Sequence, residues 1–133
     1  NLIFEVTEHS FAEGYRVFQE IEQANEGLDA ADQIEAVVCT SDALAAGILT
    51  AVRRHDLQMA VTGFDNLPLA ELLDITTVEQ RAGDVGRLAF RHLYNALVYN
   101  RRTGSFPEFE REDVEMQVVI RCSCGCPHLP SGK

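Results

Sequence analysis

The sequence contains no tryptophan, only two methionines and four prolines. It has no apolar run approaching the ~18 residues that a membrane-spanning helix needs, so a helical membrane protein is excluded as a reading. Basic residues are scarce: 11 Lys and Arg stand against 21 Asp and Glu, a net charge of −10. So acidic a surface repels phosphate backbones, and any DNA contact would need a module outside this chain. The start, Asn1-Leu2-Ile3-Phe4-Glu5, lacks the basic region and cleavage pattern of a signal peptide. It also lacks an initiator Met, so Asn1 is expected to be an internal position of a longer protein. The four cysteines do not form a disulfide framework, which favours a reducing, cytoplasmic compartment.

Catalytic signatures are equally sparse. Ser41 follows a strand and precedes a helix, but the G-x-S-x-G elbow of serine hydrolases is missing. His9, His55, His92 and His128 are far apart in sequence. A hydrolase using a Ser41/Asp65 crevice is therefore the rival reading rather than the favoured one. Ala82-Gly83-Asp84-Val85-Gly86 has the glycines of a phosphate cradle, but Asp84 would repel phosphate. Cys122, Cys124, Cys126 and His128 form a C-x-C-x-C-x-H run. Structural zinc sites normally leave two to four residues between paired cysteines, so no metal and no cofactor is expected. A reactive or incidental thiol cluster is the expected alternative. Cys39 sits in an apolar strand and reads as a small core residue.

What is present is an alternation of short apolar runs and helical periods. Residues 2–6 read as a strand. Ser10 and Glu13 have the form of a capping box, and Phe11, Tyr15, Phe18 and Ile21 follow at helical spacing. Residues 34–39 (IEAVVC) read as a strand buried on both faces, as in parallel sheets. Ser41 or Asp42 should cap the helix that runs to about His55. Residues 59–62 and 75–79 read as strands, with a short helix from Pro68 between them. A long helix is predicted over 83–100, a loop over 101–107 and a last strand over 114–121. The order β-α-β-α-β-α-β-α-β predicts an α/β fold, a mainly parallel sheet with helices on both faces. Residues 1–121 are read as the folded domain and 122–133 as a flexible Cys-rich tail or linker.

The chain is organised around Val61-Thr62-Gly63-Phe64-Asp65-Asn66. A short strand runs into Gly63 and throws Asp65 and Asn66 off its carboxyl end, where open α/β sheets bind ligands. Asp65 is therefore either a ligand-binding carboxylate or, with Asn66, a cap for the helix that follows.

Three motifs carry a resemblance. Thr40-Ser41-Asp42-Ala43-Leu44-Ala45-Ala46-Gly47, Gly63-Phe64-Asp65-Asn66 and Ile75-Thr76-Thr77-Val78-Glu79-Gln80 occur in that order, with Gly86 and Ala89 in the helix beyond. Together they resemble the carboxyl-terminal part of the effector-binding domain of the LacI/GalR family of bacterial regulators. The resemblance covers about residues 8–121 and implies one lobe of a type I periplasmic-binding-protein-like fold. It also implies sensing of a small-molecule effector, a sugar or nucleobase derivative, without catalysis. By the resemblance Ser41 and Asp65 contact the ligand, Gln80 lies on the crossing segment, and His9 and Phe11 lie near an aromatic platform position. Two features depart from the family. The joint His55-Asp56-Leu57-Gln58 is short, and Arg81-Ala82 lacks an aromatic contact found in some relatives. The ending Val118-Val119-Ile120-Arg121-Cys122-Ser123-Cys124-Gly125-Cys126 is similar to the end of sensor domains fused to diguanylate cyclases or kinases. An interaction module docking through an exposed helix is a third reading. The apolar faces of helix 83–100 lead to the expectation of a homodimer through that helix.

Overall fold

The computed structural model describes residues 2–126, and the chain divides into two compact units: Asn1–Glu79 with Val118–Lys133, and Gln80–Gln117. The first unit holds helix α1 (Phe11–Asn25), strand β1 (Ala36–Val38), helix α2 (Asp42–Arg54), strand β2 (Ala60–Thr62), helix α3 (Pro68–Leu72) and strand β3 (Thr77–Glu79). Strand β4 (Gln117–Val119) starts at the last residue of the second unit, and a 3-10 turn (Cys122–Cys124) comes after it.

Its core is built on α2. Nine of that helix's residues, from Asp42 to Val52, are buried, which fits a helix apolar over most of its circumference. Against it α1 lays Val17, Phe18 and Ile21, the last two fully buried. Each such side chain taken out of water stabilises the unit by roughly 1.5–3 kcal/mol. The two helices cross where neither has a side chain. A Cβ on Gly14 would stand 2.2 Å from the Leu44 carbonyl oxygen, and one on Gly47 would stand 2.2 Å from that of Phe11. Only glycine permits that approach. The stripe predicted from Phe11, Tyr15, Phe18 and Ile21 is thus rotated: Phe11 stays largely exposed, and Gly14 and Val17 face inward.

Strands β1 and β2 pair in parallel, Ala36 with Ala60, Val37 with Val61 and Val38 with Thr62. A parallel bridge from Thr62 to Thr76 carries the pairing onward, and β3 pairs with β4. Several expectations need correction. Residues 2–6 form no strand: Phe4 and Val6 pack on the core without joining a ladder, so four strands form among the described residues rather than five. Apolar composition placed these side chains correctly, but a strand also requires hydrogen-bonded neighbours. Strand β1 is not buried on both faces, for Val38 is 85% exposed while Val37 faces the core. The capping box is half formed. The Glu13 amide donates to Ser10 Oγ at 3.1 Å, but the Glu13 carboxylate accepts from Thr7 and Arg16 instead. The expected tail begins with a folded turn, and Ser123 within it is buried.

The second unit is helix α4 (Ala82–Thr103) and the irregular segment that follows it. The helix runs beyond 100 and stops at Gly104. Arg81 and Arg87 both bridge to Asp84 in its first turn. Arg91 and His92 grip Glu112 of the returning segment, at 2.9 and 3.1 Å. Among the described residues of α4, Ala96 alone is buried; Phe90, Leu93, Tyr94 and Leu97 are all exposed.

Candidate functional site

Two loops leave the carboxyl ends of the parallel strands β1 and β2, and the backbone zips them together. The Cys39 amide donates to the Thr62 carbonyl and the Asp42 amide to that of Phe64, both at 2.9 Å. On its other side the β2 loop is held to β3: Gly63 N–H donates to the Thr76 carbonyl and Asp65 N–H to that of Val78. The loop bearing Asp65 is therefore tied on both flanks.

The side chain that locks it is Asp42, fully buried. One carboxylate oxygen accepts from the Thr77 hydroxyl at 2.6 Å, the other from the Leu67 amide at 2.7 Å. A buried carboxylate must be compensated in this way. The same geometry dictates Gly63, since a Cβ there would lie 2.2 Å from Asp42 Oδ1. The capping reading of Asp65 and Asn66 does not hold. Neither caps α3, whose N-cap is Leu67, with no side chain capping the helix. Asp65 and Asn66 instead take positive φ, 105° and 53°. Asn and Asp tolerate that region better than other side-chain-bearing residues. Asn66 Oδ1 accepts from Arg121 Nη2 at 2.9 Å, which makes it a structural residue. Asp65 is half-buried.

Ser41 is buried and caps α2, its Oγ accepting from the Leu44 amide at 3.3 Å. Its loop and that of Asp65 are brought together by the bond from the Asp42 amide to the Phe64 carbonyl. Phe11 begins α1, with its carbonyl against Gly47 of the helix that Ser41 caps. His9 is exposed just before the Ser10 cap. Gln80 is exposed and opens the second unit.

Electrostatics mark two further groups. Arg16, and then the Thr7 amide, hold the Glu13 carboxyl down at about 2. Burial, with Asp42 adding to it, pushes the Cys39 thiol up to about 12, so it stays a thiol, as a small core residue would. No group of three His, Cys, Asp or Glu among the described residues could hold a metal ion, and His128 lies outside those residues.

Sequence reasoning missed three members of this framework: Thr77, Arg121 and Ser123. Ser123 donates to the Val61 carbonyl at 2.5 Å and accepts from the Thr76 amide at 2.9 Å. Arg121 reaches the Ile75 carbonyl at 2.7 Å as well as Asn66. A polar Thr76-Thr77 pair inside an otherwise apolar strand was the available signal for Thr77. For Arg121 and Ser123, whose partners lie far away in the chain, there was none.

The sequence pattern of the periplasmic binding protein-like domain matches residues 2–124. The chain belongs to that family. Solved structures agree on the fold. A protein from Sanguibacter keddieii assigned as a LacI-family transcriptional regulator has a TM-score of 0.76 at 24% identity, over 94% of this chain and 46% of that one. A LacI-family regulatory protein from Chloroflexus aggregans gives 0.71 at 23%, over 92% and 44%. A LacI-family regulator from Lactobacillus casei with bound sucrose gives 0.66 at 23%, over 86% and 41%. The chain thus spans less than half the length of each. Comparison with curated proteins gives no match. The domain has the periplasmic-binding-protein-like α/β fold, and no helix among the described residues is long and apolar enough to cross a membrane.

Proposed function

We propose that this domain is one lobe of the effector-sensing part of a bacterial transcription regulator of LacI type, binding a sugar-like small molecule without catalysis. The observation that carries the reading is Asp65: a half-buried carboxylate at the end of a parallel strand, held at φ 105° by a loop tied on both flanks, and not used as a helix cap. Backbone conformations as unfavourable as this persist where the surroundings impose them, and they gather at ligand clamps. The Lactobacillus casei structures with sucrose and with glucose bound supply the class of ligand to test first. Asp65 would accept hydrogen bonds from ligand hydroxyls. Ser41 supports the site by capping α2, and His9 and Phe11 are proposed to complete it within the first unit.

The rival hydrolase is disfavoured by Ser41 itself. Its hydroxyl is buried and already accepts a backbone hydrogen bond. His55 lies at the other end of α2, roughly 20 Å along a helix of this length; it pairs there with Glu22 and stacks edge-on against Phe18. Signalling in this reading is a population shift, in which ligand favours one arrangement by its differential affinity for it. DNA is read by a module outside the chain, in a cytoplasmic protein. The exposed apolar residues of α4 serve as the face of a homodimer.

The test uses the longest native protein that contains this chain. Calorimetry with sucrose and glucose should detect binding, and Asp65→Ala should weaken it roughly ten- to a hundredfold, the worth of a charge-assisted hydrogen bond. Unchanged affinity in the variant removes Asp65 from the site. Hydrolysis of either sugar would turn the reading toward the enzyme.

A further inference from the structure

The turn after β4 carries chemistry that effector sensing does not use. Three thiols lie within Cys122-Ser123-Cys124-Gly125-Cys126, and none of them is in a disulfide. The turn is anchored from its centre. Ser123 is buried, its hydroxyl bonded to the Val61 carbonyl and the Thr76 amide, and its own amide bonded to the Asp74 carbonyl at 3.1 Å. With that centre fixed, Gly125 takes φ 71° and its amide donates to the Cys122 carbonyl at 3.1 Å, bending the chain back. Residues two apart are separated by roughly 6.6–7.2 Å in an extended chain. A bend between them shortens that distance toward the roughly 4.4–6.8 Å over which disulfides form. The side chains of Cys124 and Cys126 hydrogen-bond to each other. Cys126 is exposed, open to a reagent from solution, while Cys124 is half-buried with its Sγ donating to the Arg121 carbonyl at 3.4 Å.

We propose that Cys124 and Cys126 are a redox-active thiol pair that closes to an intramolecular disulfide when it meets a small disulfide oxidant. Thiolate attack on the oxidant gives a mixed disulfide and releases one thiol. The neighbouring cysteine, losing its proton, then attacks the protein sulfur of that mixed disulfide and expels the second thiol. The two cysteines lose two electrons and two protons, and the oxidant is reduced to two thiols. Cys122 belongs to the same turn, and Cys39 is buried as a neutral thiol just beyond the end of β1. Closure removes the hydrogen that Cys124 donates to the Arg121 carbonyl.

The experiment treats the full 133-residue chain with oxidised glutathione and maps the products by peptide mass spectrometry. The expected product is a Cys124–Cys126 disulfide, lighter by two hydrogens and reversed by dithiothreitol. Cys122→Ser should leave it unchanged. Cys124→Ser, which keeps a hydroxyl for the Arg121 carbonyl, should instead trap a lasting glutathione adduct on Cys126, the thiol open to solution. Stable glutathione adducts in the unaltered chain, a disulfide that uses Cys122, or no reaction at all would each overturn the proposal.

Discussion

Replacing Gly63 by Ala should unsettle the β2 loop, but only while Asp42 is present. The added Cβ would fall 2.2 Å from Asp42 Oδ1 and 3.2 Å from Ile75 Cγ2. Asp42 cannot yield, because both its oxygens are engaged, by the Thr77 hydroxyl and the Leu67 amide. Overpacking costs about 1–3 kcal/mol, and displacing a carboxylate from its donors adds about 1.5–3 kcal/mol for each bond lost. We therefore expect Gly63→Ala to cost about 3–5 kcal/mol in urea unfolding, a large fraction of a small domain's stability. Asp42→Ala should cost a similar amount by orphaning the same two donors, less whatever the buried charge costs to desolvate. The double variant decides the matter. With the carboxylate gone, the new methyl group occupies the space it left, so the two penalties should not add. A coupling of at least about 1 kcal/mol in the direction of mutual relief is expected. Additive effects within a few tenths of a kcal/mol would refute the reasoning, as would a mild Gly63→Ala.

Glu13 gives a pH dependence with a definite sign. Its carboxyl is lowered from 4.5 to about 2, so the stabilisation is fully present above about pH 4.5 and is lost as pH falls toward 2. Melting curves of Glu13→Gln should therefore lie well below those of the parent near neutrality and converge on them in acid; a gap unchanged with pH would argue against this. Gly47→Ala should destabilise by about 1–3 kcal/mol, because backbone atoms of Phe11 and Tyr15 stand within 3 Å of the new carbon. Gly86→Ala, in α4 with nothing within 4 Å, should instead stabilise by about 0.5–1 kcal/mol through helix propensity. Sedimentation at micromolar concentration should show self-association of the chain, weakened by Leu93→Glu, since Leu93 is 59% exposed on α4; a monomer throughout would count against the dimer face.

The order of helices and strands was legible because it is written in local patterns. The 3.6-residue period of α2, the Ser10 and Ser41 caps and Pro68 at the start of α3 all act over a few residues. What escaped was decided by distant neighbours. Residues 2–6 and 34–39 have strand composition, yet a ladder forms only where a partner presents its backbone, and burial of both faces requires a second covering layer. Val38 shows that β1 lacks such a layer here. The site divides along the same line. Asp65 was visible from its place at a strand's end, but the reason that Gly63 precedes it was not. That reason lies in Asp42, which a sequence reader sees as one of two candidate caps. In the structure Ser41 caps α2, and Asp42 turns inward to bind Thr77 and Leu67. Adjacent residues of one motif thus divide two tasks, one starting a helix and one holding the neighbouring loop in the shape that presents Asp65. A change at Asp42 should therefore reach the loop of Asp65, the proposed ligand contact, without touching a ligand. A survey of binding alone would misread Asp42 as a contact, where stability and binding measured together would not.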